Sequence, residues 1–134
     1  MSVIKSKRNQ SDVQFIQTAK DLEEFTLEQC LKFPKRYTFL LTNKIMDYSS
    51  SVLDCVTLAN NIFPKTKDEA SQRRQLFLTA RGTLKSMIPQ IDIAYKKFPI
   101  KDNAMIHWME LIDTELHLLT GIMKKDKQRF KDLP

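Results

Sequence analysis

The chain has 134 residues and a formal net charge of +6, with 42% hydrophobic and 28% charged residues, 2 glycines and 5 prolines. That length holds one domain and no second one, the composition excludes wholesale disorder, and so few glycines and prolines exclude a turn-rich all-β fold. No apolar run approaches the roughly 20 residues that span a bilayer, and residues 1–10 carry Lys5, Lys7 and Arg8 with no apolar core after them, so neither a membrane partner nor a signal peptide is expected.

The first periodic stretch covers about residues 11–32, with Ser11 or Asp12 as its cap. Phe15, Ala19, Leu22, Thr26 and Cys30 recur at spacings of three and four, and Val13, Ile16, Leu27 and Leu31 make a second, adjacent stripe. Phe33-Pro34 stops this helix, because the residue before a proline is pushed out of the α region. A second helix is expected from Arg36 or Thr38 to Phe63. Leu41, Ile45, Tyr48, Val52, Cys55, Ala59 and Ile62 share its apolar face, which Phe39, Val56 and Phe63 widen. Ser49-Ser50-Ser51 weakens it in isolation, so packing must hold it.

The third helix is expected over about residues 68–96, with Leu76, Phe77, Ala80, Leu84, Met87, Ile88, Ile91 and Tyr95 on its apolar face. Pro89 removes a backbone hydrogen bond and crowds the carbonyl of Lys85, which predicts a kink. Gly82 either costs stability or admits a neighbouring helix. The fourth helix runs from Lys101 or Asp102 to Lys125 or beyond. Met105, Met109, Ile112, Leu116, Leu119 and Met123 form one stripe, and Trp108, Leu111, Leu118 and Ile122 a second. A helix apolar over so much of its circumference is buried on two sides, so the second stripe is expected to be an oligomer interface. The whole reads as a single all-α domain over residues 1–134. It is an up-down-up-down antiparallel four-helix bundle with flexible basic termini at about 1–10 and 126–134.

Catalytic and cofactor chemistry finds little support. No Glu has a His three positions later, as a di-iron bundle requires. His107 and His117 lie on the fourth helix, about 80° apart around its axis, and do not chelate together. An axial haem pair of His107 with Met46 or Met87 is conceivable, but such methionines serve more often as core filler. There is no glycine-rich phosphate loop, no nucleophile elbow and no facing pair of carboxylates. Neither catalytic, cofactor nor metal-binding residues are assigned. Cys30 and Cys55 have no metal or redox spacing and read as free thiols of a cytoplasmic protein.

Charge is distributed unevenly. Residues 65–101 carry a net +6, residues 124–134 carry +3, and residues 102–123 carry −4. Arg74, Arg81 and Lys85 line one stripe of the third helix, with Lys67 and Arg73 near its start, and Lys124 and Lys125 open a basic tail. Guanidinium and ammonium groups spaced along a rigid rod can track phosphates. A solvated helix face with a soluble tail would have the same composition.

Three segments carry a family resemblance. Lys32-Phe33-Pro34-Lys35-Arg36-Tyr37-Thr38-Phe39-Leu40-Leu41 resembles a helix 1–2 junction. Phe77-Leu78-Thr79-Ala80-Arg81-Gly82-Thr83-Leu84 with Ile91-Asp92-Ile93-Ala94-Tyr95 resembles a third helix. Leu111-Ile112-Asp113 with Leu118-Leu119-Thr120-Gly121-Ile122-Met123 resembles a last helix. In order and spacing, over about residues 12–125, they resemble the bacterial four-helix bundle family. It includes proteins encoded in 23S ribosomal RNA intervening sequences and the accessory variability determinant (Avd) of diversity-generating retroelements. The plain apolar run of residues 52–61 and Arg36-Tyr37-Thr38 are more similar to the retroelement branch. The resemblance implies a homo-oligomer, a pentamer, with a basic surface that binds RNA or DNA and a partner reverse transcriptase in mutagenic cDNA synthesis. It implies no catalytic residue, since polymerisation belongs to the partner. Its carried-over positions are Arg73, Arg74, Arg81 and Lys85. The alternative is a protein–protein interaction module of the intervening-sequence branch, with no direct nucleic-acid role.

Overall fold

The computed structural model describes residues 13–134, and these form four long α-helices and no strand. They are α1 (Gln14–Cys30), α2 (Asn43–Asn60), α3 (Lys67–Lys97) and α4 (Asp102–Arg129). Along the chain each helix packs against the next, and α4 closes against α1. The cap expected at Ser11 or Asp12 and the basic residues 1–10 lie outside the described residues.

Local chemistry sets the helix ends. Thr66 caps α3 by accepting the Glu69 N–H at 3.2 Å, and Glu69 reaches back to the Lys65 N–H at 2.8 Å. This is a variant of the reciprocal Thr-x-x-Glu capping box, and Asp68 and Glu69 also suit the positive end of the helix dipole. Past Phe33-Pro34 the chain makes a 3-10 turn (Lys35–Tyr37) and one wide π turn (Thr38–Thr42), so α2 proper begins later than the pattern suggested. Phe39 is 89% exposed and Phe63 79%, against the expectation that both widen the core face. Phe39 stands two residues from buried Leu41, about 200° round a helix, and cannot share its direction. Phe63 lies beyond the last turn of α2, where the chain has left the helix.

Trp108, Phe77, Leu22, Ile45, Leu84, Met87, Ile91, Ile112 and Leu119 fill the centre. Phe15 meets Phe77 edge-on at 5.5 Å. Trp108 donates its indole N–H to the Thr26 hydroxyl at 3.0 Å, tying α4 to α1 and satisfying the one polar atom of the ring. At that end of the helices Phe33 and Tyr37 stack on Phe98 at 4.8 and 4.9 Å, fixing the α1–α2 connection to the α3–α4 connection. Buried Ser49 returns its hydroxyl to the Met46 carbonyl at 2.9 Å, so the serine run sits inside a helix held by packing. The Cys30 thiol is pushed up to about 12 by burial, and both Cys30 and Cys55 are free.

Two expectations are corrected here. The chain after residue 125 is no loose tail: α4 continues to Arg129, and the Pro134 oxygen accepts the Lys67 N–H at 2.9 Å. Ile122, Asp126 and Phe130 extend the inward face of α4 at helical spacing, which holds the basic residues between them in place. Of the second apolar stripe of α4, Trp108 and Ile122 are already covered within the chain and cannot serve another subunit. The two stripes lie on adjacent flanks, and α1 and α3 both neighbour α4. Trp108 is fully buried and Ile122 nearly so, while Leu111 and Leu118 are half-buried against the same core.

Glu115 is fully buried on α4 between Ile112 and Leu119. Neither carboxyl oxygen finds a hydrogen-bond partner among the described residues. Desolvation pushes its pKa up to about 8, so the folded chain holds it protonated at neutral pH. In the unfolded chain the same group titrates near 4.5. Between these values the folded state binds the extra proton, so this group's contribution to stability is full below about 4.5 and is lost as pH rises through about 8. The loss is on the order of a few kcal/mol. Urea unfolding at a series of pH values should show this decline in the natural chain and a flat profile across the same window in Glu115→Gln. A second expected outcome concerns Gly82 and Gly121, where an added Cβ meets nothing within 4 Å. Gly82→Ala and Gly121→Ala should each raise unfolding stability by about 0.5–1 kcal/mol, since helical glycine costs chain entropy and no close approach uses either one here.

Candidate nucleic-acid interface

Successive residues of a helix point about 100° apart, so Arg73 and Arg74 face different surroundings. Arg73 shares the inward face of α3 with Phe77, Ala80 and Leu84, and it is 6% exposed. Its Nε donates to Asp126 Oδ2 at 2.7 Å and its Nη2 to Asp126 Oδ1 at 3.4 Å. Its Nη1 donates to the carbonyls of Ala59 at 3.0 Å and Ile62 at 3.2 Å. The guanidinium carbon lies 5.1 Å from the Phe77 ring centre and 6.0 Å from that of Phe130. Arg73 therefore caps the C-terminal carbonyls of α2, pairs with α4 and rests between two rings. It is removed from the expected phosphate-contacting set, because its donors are already bonded inside the fold.

The remaining expected cations divide by position. Lys67, Arg74 and Arg81 recur every seven residues on one flank of α3, and Lys85 follows four later. On α4, Lys124, Lys127 and Lys131 recur at three and four residues. Lys67 and Arg74 meet Lys127 and Lys131 across a groove of about 420 Å³, with Ser71 between them and Met123 and Phe130 in its wall. None of these four forms an ion pair among the described residues. Asp126 is the groove's only carboxylate among the described residues, and both Arg73 and Arg129 bind it, so it does not offset the four free cations.

Lys124 lies on the Lys127 side of α4 and is exposed, extending the groove's positive rim. Lys125, one residue on, is turned about 100° from Lys124 and points away from this rim. Arg81 is half-buried and Lys85 exposed further along α3. Early α3 meets late α4 at Arg73–Asp126, and late α3 meets early α4 where the Tyr95 hydroxyl donates to Asp102. Arg81 and Lys85 thus stand alongside the acidic part of α4. There His117 lies 3.5 Å from Asp113. The bond to Asp102, with the charge of that carboxylate, holds the Tyr95 phenol above its ordinary value.

The geometry can hold closely spaced phosphates. Four unpaired cations converge on one groove, two helices fix them, and a serine hydroxyl lies among them. The α3 stripe was legible from spacing alone. Lys127 and Lys131 were not, because only the packing of α4 against α3 brings them opposite Lys67 and Arg74. Asp126 and Glu115 were missed as well, although both continue the Ile112–Leu119–Ile122 inward spacing and were legible in principle. Among the described residues, no three His, Cys, Asp or Glu side chains come together as a metal site would require.

The neighbouring arginines give opposite expected outcomes. Arg73→Ala leaves Asp126 buried without its main partner and the α2 carbonyls uncapped. It should destabilise the fold by about 3–5 kcal/mol in chemical unfolding. Arg74→Ala should leave stability within about 0.5 kcal/mol of the natural chain, as an exposed substitution does.

No family model, no curated protein and no solved structure matches the chain.

Proposed function

We propose that the chain is a non-enzymatic nucleic-acid-binding accessory protein, cytoplasmic and homo-oligomeric. On this reading it acts as the accessory subunit of a diversity-generating retroelement. It binds the reverse transcriptase and its template RNA and supports mutagenic cDNA synthesis. The role comes from the resemblance of the helix 1–2 junction, third helix and last helix to that family, as does the pentameric state. The observation that carries nucleic-acid binding is the groove of Lys67, Arg74, Lys127 and Lys131 between α3 and α4. An up-down-up-down antiparallel bundle with a bend at Pro89 belongs to the same reading. The antiparallel arrangement is supported by the short α2–α3 and α3–α4 connections and by the contacts of Arg73 with Asp126 and Tyr95 with Asp102. The second reading, a protein–protein interaction module, is favoured by the exposed Leu31, Phe39 and Leu40.

A groove that binds through charge engages phosphates without reading bases, so its affinity must fall as salt rises. Titration of a labelled structured RNA and a matched duplex DNA at several salt concentrations should give sub-micromolar binding with a steep salt slope. Arg74→Glu with Lys127→Glu should weaken that binding and lower the slope while circular dichroism stays unchanged. No binding at low salt would leave the protein-interaction reading in its place.

A further inference from the structure

Leu31, Phe39 and Leu40 are 76%, 89% and 77% exposed, and all three lie on or beside the connection between α1 and α2. Residues 31–46 carry Lys32, Lys35, Arg36 and Lys44 and no acidic side chain. The connection is braced from behind by the stacking of Phe33 and Tyr37 on Phe98. It is therefore a braced apolar knob with basic residues beside it in the chain, and little ordering remains to be done when it docks.

The same chain carries the complement. Met105, Ile106, Met109, Glu110 and Asp113 line a shallow hollow of about 390 Å³ on α4, with Ile106 56% exposed. Residues 102–123 carry three exposed carboxyl groups, Asp102, Glu110 and Asp113, and no Lys or Arg. Met109 and Lys127 stand 18 residues apart, about five full turns, so the hollow opens on the same side of α4 as the basic groove, towards α3. The helices adjoin in the order α1, α2, α3, α4 and back to α1. The knob belongs to the α1–α2 connection and the hollow to the flank of α4 next to α3, so the two are separate surfaces of one copy.

We propose that copies of this chain assemble head to tail, the Leu31–Phe39–Leu40 knob of one seated on the Met105–Ile106–Met109 hollow of the next. This rests on the homo-oligomer reading above and supplies the surfaces that the buried Trp108 and Ile122 do not. A second copy is the occupant because the charges match only in this pairing. Knob on knob sets Lys32, Lys35 and Arg36 against themselves, and hollow on hollow sets Glu110 and Asp113 against themselves. Knob on hollow sets unlike charges around an apolar centre, where the Phe39 ring meets flexible methionines. Because the two surfaces differ, the contact repeats from copy to copy and closes as a ring when the rotation permits.

Sedimentation velocity over a concentration series, at moderate salt, tests the pairing. Lys35→Glu with Arg36→Glu should yield folded monomers at concentrations where the natural chain is assembled, and so should Glu110→Lys with Asp113→Lys. Circular dichroism should be unchanged in both, because all four side chains are exposed. Combining the four substitutions restores unlike charge across the contact and should restore assembly. A natural chain that stays monomeric at every concentration would overturn both this pairing and the homo-oligomer reading. Assembly that survives either charge reversal, or that the fourfold variant fails to regain, would overturn the pairing and leave that reading standing.

Discussion

One guanidinium holds three helices in register. Arg73 rises from α3, closes the exposed carbonyls at the end of α2, and pairs with Asp126 on α4. Each of these groups would be costly to bury alone. The Ile62 carbonyl has no amide partner among the described residues, the Ala59 carbonyl takes only the Ile62 N–H, and a buried carboxylate without a cation is worse still. Arg73 has enough donors for both, and the rings of Phe77 and Phe130 cover it. The basic groove follows from this arrangement. With Asp126 bound from the inside, the cations on the outer side keep their charge for an outside partner.

Much of the architecture could be read from spacing. The four apolar stripes place four helices, and the structure has them within a few residues, because a 3.6-residue period in a long segment has few competing solutions. The misreadings are local. Phe39 is expected to widen the inward face of the second helix, although its offset from Leu41 turns it outward. Phe63 follows the stripe but falls after the helix has ended. The excess apolar surface of α4 was read as a subunit interface because a helix pattern cannot say how many neighbours a helix has. Here two neighbours within one chain bury Trp108 and Ile122 and leave Leu111 and Leu118 half-buried. The binding residues divide in the same way. Arg74 could be read as outward, but its neighbour Arg73 required knowledge of which flank faces the core. Lys127 and Lys131 became site residues only through the meeting of α3 with α4.

The outer face of α3 and α4 is electrostatically split. Near Lys67 and Lys131 it is strongly positive, and towards Met105 and Asp113 it is acidic and apolar. A polyanion laid along this face would be attracted at one end and repelled at the other. Favourable contact is thus confined to the half where α3 begins and α4 ends. The acidic half remains for a partner of opposite charge, and a net charge of +6 hides both.

The buried Glu115 changes how the charge of this chain should be counted. The formal value of +6 treats that carboxyl as ionised, whereas the folded chain near neutral pH keeps it protonated and carries close to one more unit of positive charge. Unfolding exposes the group, which then gives up about one proton per molecule to the buffer. The heat of unfolding measured near neutrality therefore contains the buffer's own heat of protonation. Phosphate, whose protonation releases little heat, and Tris, whose protonation releases much, will return different enthalpies for the same conformational change.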